Sequence, residues 1–235
     1  MRVLLIAPIL LVTAAAVAAP AQTSKNRPVG ITPELMSLEV QHQGQPVALQ
    51  REQRNNATVE PAFALTSRPC PPFCIQPMQL AEGVETYAEL EVIDALRRIQ
   101  QGDDSILLVD SRTPDWVAKG TIPGATSIPW TGLNPKMGAS TEGIVEIMTQ
   151  AFGVALAEDA DAFAVDEAIV EGNTSQVFDF SGAKTLVLFC NGMWCGQSPV
   201  SIRTLLKFGY PPQRLKWYRG GMQDWAILGL TRVKP

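Results

Sequence analysis

Strand-like runs that each lead through turn residues into a helical pattern constrain this chain more than any other feature. Ile106-Leu107-Leu108-Val109 is apolar at every position, which suits a strand covered on both faces of a parallel sheet. Thr185-Leu186-Val187-Leu188-Phe189 is a second such run, and Leu215-Lys216-Trp217-Tyr218 reads as another strand. Between and around them the period changes to that of helices. Leu90, Ile93, Leu96 and Ile99 have the spacing of one helix face, with Thr86 and Glu89 placed as a capping box. Thr113 to Lys119 predicts a short helix. Gly120 to Ala125 is a turn, and Ser127-Ile128-Pro129 a short strand. Ser198-Pro199 opens a helix that ends near Gly209, and Met222 to Leu228 closes the chain with another. The pattern from Val84 onward is α/β.

The residues before Val84 differ. Ser37 to Gln41 and Val47 to Gln50 alternate around Gly44 and Pro46, which predicts a small β-hairpin. Cys70-Pro71-Pro72-Phe73-Cys74 is a rigid turn. At the other end of the α/β part, residues 131–183 are long for one connection. Ile144, Ile147, Met148 and Ala151 have helical spacing there, and Glu158, Asp159, Asp161, Asp166, Glu167 and Glu171 make an acidic surface without the spacing of a calcium loop. We read this segment as a solvated helical insertion, with a lid over the site as the alternative.

Compartment follows from the first residues. Met1-Arg2, an apolar Val3–Ala19 stretch and small residues around Ala19-Pro20-Ala21 predict a cleaved signal peptide over 1–21, hence a periplasmic or secreted protein. Loss of Arg2 takes the formal charge from −4 to −5. No basic run follows, so neither nucleic acid nor, after cleavage, a membrane is an expected partner. Export permits disulfides, and the four cysteines fall in two close pairs, Cys70/Cys74 and Cys190/Cys195. Cysteine counting leaves their pairing open. One histidine, His42, leaves little for a metal site or a Cys–His dyad, so no cofactor or metal is expected.

Chemistry concentrates at Cys190. The thiol ends an apolar run and opens the turn-rich stretch Asn191, Gly192, Met193, Trp194, Cys195, Gly196, Gln197, which leads into Ser198 and the next helix. Loop N–H groups and a helix N-terminus both favour an anion on that sulfur, lowering its pKa and raising its nucleophilicity. Gly192 and Gly196 free the loop backbone, Ser198 is placed to cap the helix and Pro199 to occupy its first turn. The bland alternative for Cys190 is an inert buried thiol or half of a disulfide. Cys195 is placed as a resolving thiol or disulfide partner. Trp194 offers an apolar lip to an acceptor protein, or plain packing. Cys70 and Cys74 form either a local disulfide pinning the N-terminal region or a second redox pair.

Three blocks in order resemble the rhodanese (sulfurtransferase) family: Leu108-Val109-Asp110-Ser111-Arg112 with Gly120 to Ala125, then Leu188-Phe189-Cys190 with its loop, then Tyr218-Arg219-Gly220-Gly221-Met222-Gln223-Asp224-Trp225 with Gly229. The resemblance covers about residues 84–232. It implies a three-layer α/β domain, a central parallel sheet flanked by helices, over residues 84–235, with 22–83 as an N-terminal β extension. It also implies a Cys190 thiolate that takes sulfane sulfur from a small anion such as thiosulfate and passes it to a thiol or other thiophilic acceptor, for example a periplasmic redox protein. Arg219, and Arg112 less so, are candidates to hold the anionic donor; for Arg112 an ion pair with Asp110 is the favoured reading.

The chain departs from the family pattern in four places. Seven residues, not about five, separate Cys190 from Ser198; the loop has no Arg or Lys; Thr121 stands where a histidine is usual; and the loop holds Cys195. Three other readings follow: a thiol–disulfide or persulfide redox protein using Cys190 and Cys195, a non-catalytic binding module, and a phosphatase or arsenate reductase. The last wants a loop arginine for its oxyanion, where this chain has Gly196-Gln197-Ser198.

Overall fold

A computed structural model describes residues 28–235. The expected signal peptide lies outside the described residues. Among those described, no helix is long and apolar enough to cross a membrane.

Five strands make one parallel sheet: β3 (Glu85–Tyr87), β4 (Ile106–Asp110), β5 (Thr126–Ser127), β8 (Thr185–Phe189) and β9 (Leu215–Tyr218), in the order β3-β9-β8-β4-β5. β8 and β4 lie in the middle, which is why their sequences are apolar throughout. Alternate residues feed two separate cores. Leu186 and Leu188 face one side with Ile202 and Leu205 of α5 (Gln197–Lys207); Val187 and Phe189 face the other with Val92, Ile93 and Leu96 of α1 (Glu89–Gln100) and Met222 and Trp225 of α6 (Gly221–Ile227). The result is the three-layer parallel fold expected from the sequence.

The N-terminal hairpin is β1 (Ser37–His42) against β2 (Gln45–Gln50), joined through Gln43 and Gly44, both at positive φ, as a two-residue hairpin loop requires. Val40 and Leu49 are fully buried in the same core as α1 and α6, and Phe63 joins them. The hairpin is thus a third component of that layer.

Several local expectations fail for identifiable reasons. The N-cap of α1 is Ala88, whose N–H donates to the Glu91 carboxylate at 3.0 Å; Thr86 lies in β3, so the box is shifted by two residues. Leu90 is 53% exposed and Val92 is buried in its place, because the buried stripe of α1 follows Val92, Ile93, Ala95 and Leu96. The strand before Ile128 is Thr126–Ser127. Residues 131–183 are more than a solvated insertion. Helix α3 (Thr141–Gln150), helix α4 (Ala162–Glu171) and the small antiparallel pair β6 (Ala155–Leu156) with β7 (Phe178–Asp179) contribute Ile144, Met148, Val165 and Phe178 to the core beneath β8. The acidic face is in water, with all six carboxylates named above exposed, and Phe163 and Val170 of α4 are exposed as well.

Candidate functional site

The site lies at the carboxyl ends of β4, β8 and β9, where an open parallel sheet gathers its functional loops. Cys190 follows β8 directly and is 3% exposed. Its carbonyl accepts from Met222 N–H at 2.9 Å, and Asn191 O accepts from Gln223 N–H at 3.0 Å, so the loop is stitched to the start of α6. That stitch needs a glycine. Gly221 has φ +56°, and a Cβ there would stand 2.3 Å from the Cys190 carbonyl oxygen. The loop closes on itself through Cys195 N–H to Gly192 O at 2.8 Å.

Sulfur sits at the centre of this loop. Ser198 Oγ donates to Cys190 Sγ at 3.3 Å, and Cys190 Sγ lies 3.5 Å from the Cys195 carbonyl oxygen. Burial pushes the Cys190 thiol up, but hydrogen bonds from the Cys195 thiol, the Ser198 hydroxyl and the Ser198 and Gly192 N–H groups outweigh it, bringing its pKa down to about 7. Cys195 goes the other way. Burial, the hydrogen bond it gives Cys190 and the charge of the Cys190 thiolate push it well up, against N–H groups of Asn191 and Gln197 that favour its ionisation. Four loop amides therefore serve two sulfurs, and Cys190 takes the negative charge. Both thiols are free.

Ser198 is not the helix cap. The N-cap of α5 is Gly196, with φ −90°, and Ser198 sits inside the first turn with its hydroxyl turned to the sulfur. Gly196 needs no special backbone freedom. Gly192 has φ +158°, and a Cβ there would press on Gln223 Oε1 at 3.0 Å.

Asp110 and Arg112 form a buried bidentate pair, Nη2 to Oδ2 at 2.6 Å and Nε to Oδ1 at 2.9 Å. Thr121 Oγ1 adds a donor to Oδ2 at 2.6 Å, in the place where the family pattern has histidine. Arg112 Nη1 reaches Asn191 Oδ1 at 3.4 Å. With no exposed surface, Arg112 holds the loop and is not available to a substrate. Arg219 is also engaged: its guanidinium donates to the carbonyls of Gln76 and Pro77. His42 accepts from Gly124 N–H, away from the thiol.

The N-terminal region reaches the loop as a strap, residues 61–78, pinned by a Cys70–Cys74 disulfide. Gln76 N–H donates to Met193 O at 2.8 Å. Phe73 packs edge-to-face on Trp194, with ring centres 5.7 Å apart. Trp194 Nε1 donates to Gln223 Oε1 at 2.8 Å, and Gln223 Nε2 to Leu65 O. Trp194 is therefore occupied inside its own chain and is not a free lip. Arg68 and Gln76 at this contact carry no motif that sequence reasoning could have used, and Gln223 stands in the third block without a role assigned to it; the rigid Cys-Pro-Pro-Phe-Cys turn is the one signal of a constrained segment here.

The model of the rhodanese-like domain family matches residues 92–228. No curated protein matches the chain. Among solved structures, the rhodanese-like domain of an Anabaena protein is 15% identical, with 66% of this chain and 81% of that one covered and a TM-score of 0.33. Thiosulfate sulfurtransferase from Pseudomonas aeruginosa is 16% identical, with 64% of this chain and 20% of that one covered and a TM-score of 0.34. A Rhodopseudomonas palustris protein of unknown function, described as a possible tyrosine phosphatase, is 19% identical, with 66% and 90% covered and a TM-score of 0.37.

Proposed function

The chain belongs to the rhodanese-like domain family, and from that premise we propose that it is an exported sulfurtransferase working through a Cys190 persulfide. The observation that carries this reading is a buried thiol of pKa about 7, ringed by hydroxyl and amide donors at the end of a central strand. The Cys190 thiolate attacks the outer sulfur of a thiosulfate-like donor. The new S–S bond forms as the old one breaks, sulfite leaves with that bond's electron pair, and Cys190 carries a persulfide anion. An acceptor thiolate then takes the terminal sulfur and returns Cys190 as thiolate. Donors already aimed at the first sulfur, from Gly192 and Ser198, are suited to an anion at the second. The disulfide at Cys70–Cys74 supports export, since such bonds persist in oxidising compartments.

Intact mass before and after thiosulfate tests the reading. The reduced wild-type chain should gain about one sulfur mass, lost on reduction and absent in Cys190→Ser. No gain in wild type would sink it.

A second reading has its own observation: Cys195 sulfur shares the ring of loop amides with Cys190. In that reading the two cycle between dithiol and disulfide, with an external thiol–disulfide partner taking or supplying the electron pair. Cys195→Ser decides between them, because sulfur uptake survives it in the first reading and redox cycling does not in the second.

A further inference from the structure

Arg68 is outside the region the family model covers, yet it stands at the mouth of the Cys190 loop. Its guanidinium stacks on Trp194 at 3.8 Å and lies within 6 Å of the rings of Phe73 and Trp116. Three aromatic faces hold it in place. Among the described residues it has no hydrogen-bond or ion-pair partner, and its Nε is buried without one. A cavity of about 10 Å³, the room of one water, opens beside it, lined also by Asn191, Trp116, Trp194 and Gln223; Arg68 is its one charged wall. The other cations near the loop are committed. Arg112 is neutralised by Asp110, and Arg219 is spent on backbone carbonyls. Burial lowers the Arg68 pKa, and the nearby Cys195 sulfur works against that shift.

An unpaired, half-buried guanidinium with a free donor edge is an oxyanion receptor. Resting on the sulfurtransferase reading, we infer that Arg68 binds the sulfonate end of an anionic sulfane-sulfur donor. The strap thus supplies, from an earlier segment of the same chain, the positive charge that the loop itself lacks. The donor's sulfonate lies across the guanidinium fork with its outer sulfur toward the Cys195–Cys190 side, and Asn191 and Gln223 offer amide groups beside it. The closed cavity is too small for thiosulfate, so the strap shifts outward to admit the donor, carrying Arg68 with it.

Binding is separated from turnover by using the exported chain in its Cys190→Ser form, which cannot take up sulfur. Calorimetric titration with thiosulfate compares this chain with the Cys190→Ser/Arg68→Gln and Cys190→Ser/Arg68→Lys chains, each first shown to melt as the parent does. Cys190→Ser is expected to bind thiosulfate, with affinity that falls as salt is raised. Arg68→Gln should weaken binding at least tenfold, while Arg68→Lys recovers part of it but not the planar fork. Equal binding with and without Arg68, or no binding by the Cys190→Ser chain, overturns the assignment. If Arg68 proves necessary for binding while wild type never gains sulfur, the anion site stands and the sulfurtransferase reading falls. Because Gln cannot stack as a cation on Trp194 and would loosen the strap, alkylation of Cys190 in wild type and Arg68→Gln gives a second measure. Wild type should favour iodoacetate over iodoacetamide several-fold more than Arg68→Gln does. Equal ratios in the two chains, or a rise with both reagents alike in Arg68→Gln, would mark Arg68 as a seal and overturn the anion site.

Discussion

Replacing Ser198 by Ala removes one donor from the Cys190 sulfur and little else. The side chain is fully buried, its Oγ lies 3.3 Å from Sγ, and alanine fits the helical backbone of α5. A hydrogen bond to a charged group contributes about 1.5–3 kcal/mol, and the diffuse charge of a thiolate puts this one at the lower end. About 1.4 kcal/mol is one pKa unit. The Cys190 pKa should therefore rise from about 7 to roughly 8. A lowered thiol pKa means thiolate above it and thiol below it, so the loss shows on the acid side. At pH 7 the thiolate fraction drops from about one half to about one tenth; the more basic thiolate is about 2.5–3-fold the better nucleophile, so alkylation by iodoacetamide slows about twofold. Near pH 9 both thiols are almost fully ionised and the order reverses, with the variant about two- to threefold faster because a more basic thiolate is the better nucleophile. Ultraviolet thiolate absorbance against pH reads the midpoint directly, and Cys195, pushed well above its usual range, stays out of that window. An unmoved midpoint in Ser198→Ala would refute the claim that this hydroxyl stabilises the thiolate.

Two further substitutions probe the frame of the loop. Gly221→Ala combines a left-handed φ with a Cβ 2.3 Å from Cys190 O, and should cost at least about 2 kcal/mol, seen as a melting temperature lower by roughly 5 °C together with a changed Cys190 titration. Asp110→Asn leaves Arg112 buried and charged without its partner, at about 3–5 kcal/mol; the melting temperature should fall by about 10 °C, and Asp110→Asn that melts like wild type would show the pair to be dispensable.

The sheet and the thiol were legible because their signals are local. An apolar run ending in cysteine, then glycines, then a helix pattern, names β8, the loop and α5 within a residue or two. The Asp110–Arg112 pair was legible because both ends sit on one strand terminus. What was hidden depends on chain segments far apart in sequence. Residues 131–183 carry mixed apolar and acidic residues, and only packing against β8 and α5 shows which face is buried. Ser198 satisfies the rule for a helix cap, but tertiary context places the sulfur where its hydroxyl points, and Gly196 caps instead. Leu90 satisfies the helical period as well as Val92 does; the sheet decides between them.

Placement of charge explains why the N-terminal region belongs to the site. A loop with no Arg or Lys can stabilise a thiolate through amides and a hydroxyl, because those donors act at hydrogen-bond range on one atom. Those amides act at short range, and a cation at the entrance adds a charge-assisted hold on an oxyanion that the loop lacks. Within the α/β domain the nearby guanidiniums are already engaged, Arg112 by Asp110 and Arg219, through Nε and Nη2, by the carbonyls of Gln76 and Pro77. The second of these contacts also ties the strap to the end of β9. The same strap meets the loop through Gln76 and Met193, and it places Arg68 against Trp194. Anchoring and charge delivery therefore share one segment, so loosening the strap should lower affinity for an anionic donor even where the Cys190 titration is unchanged.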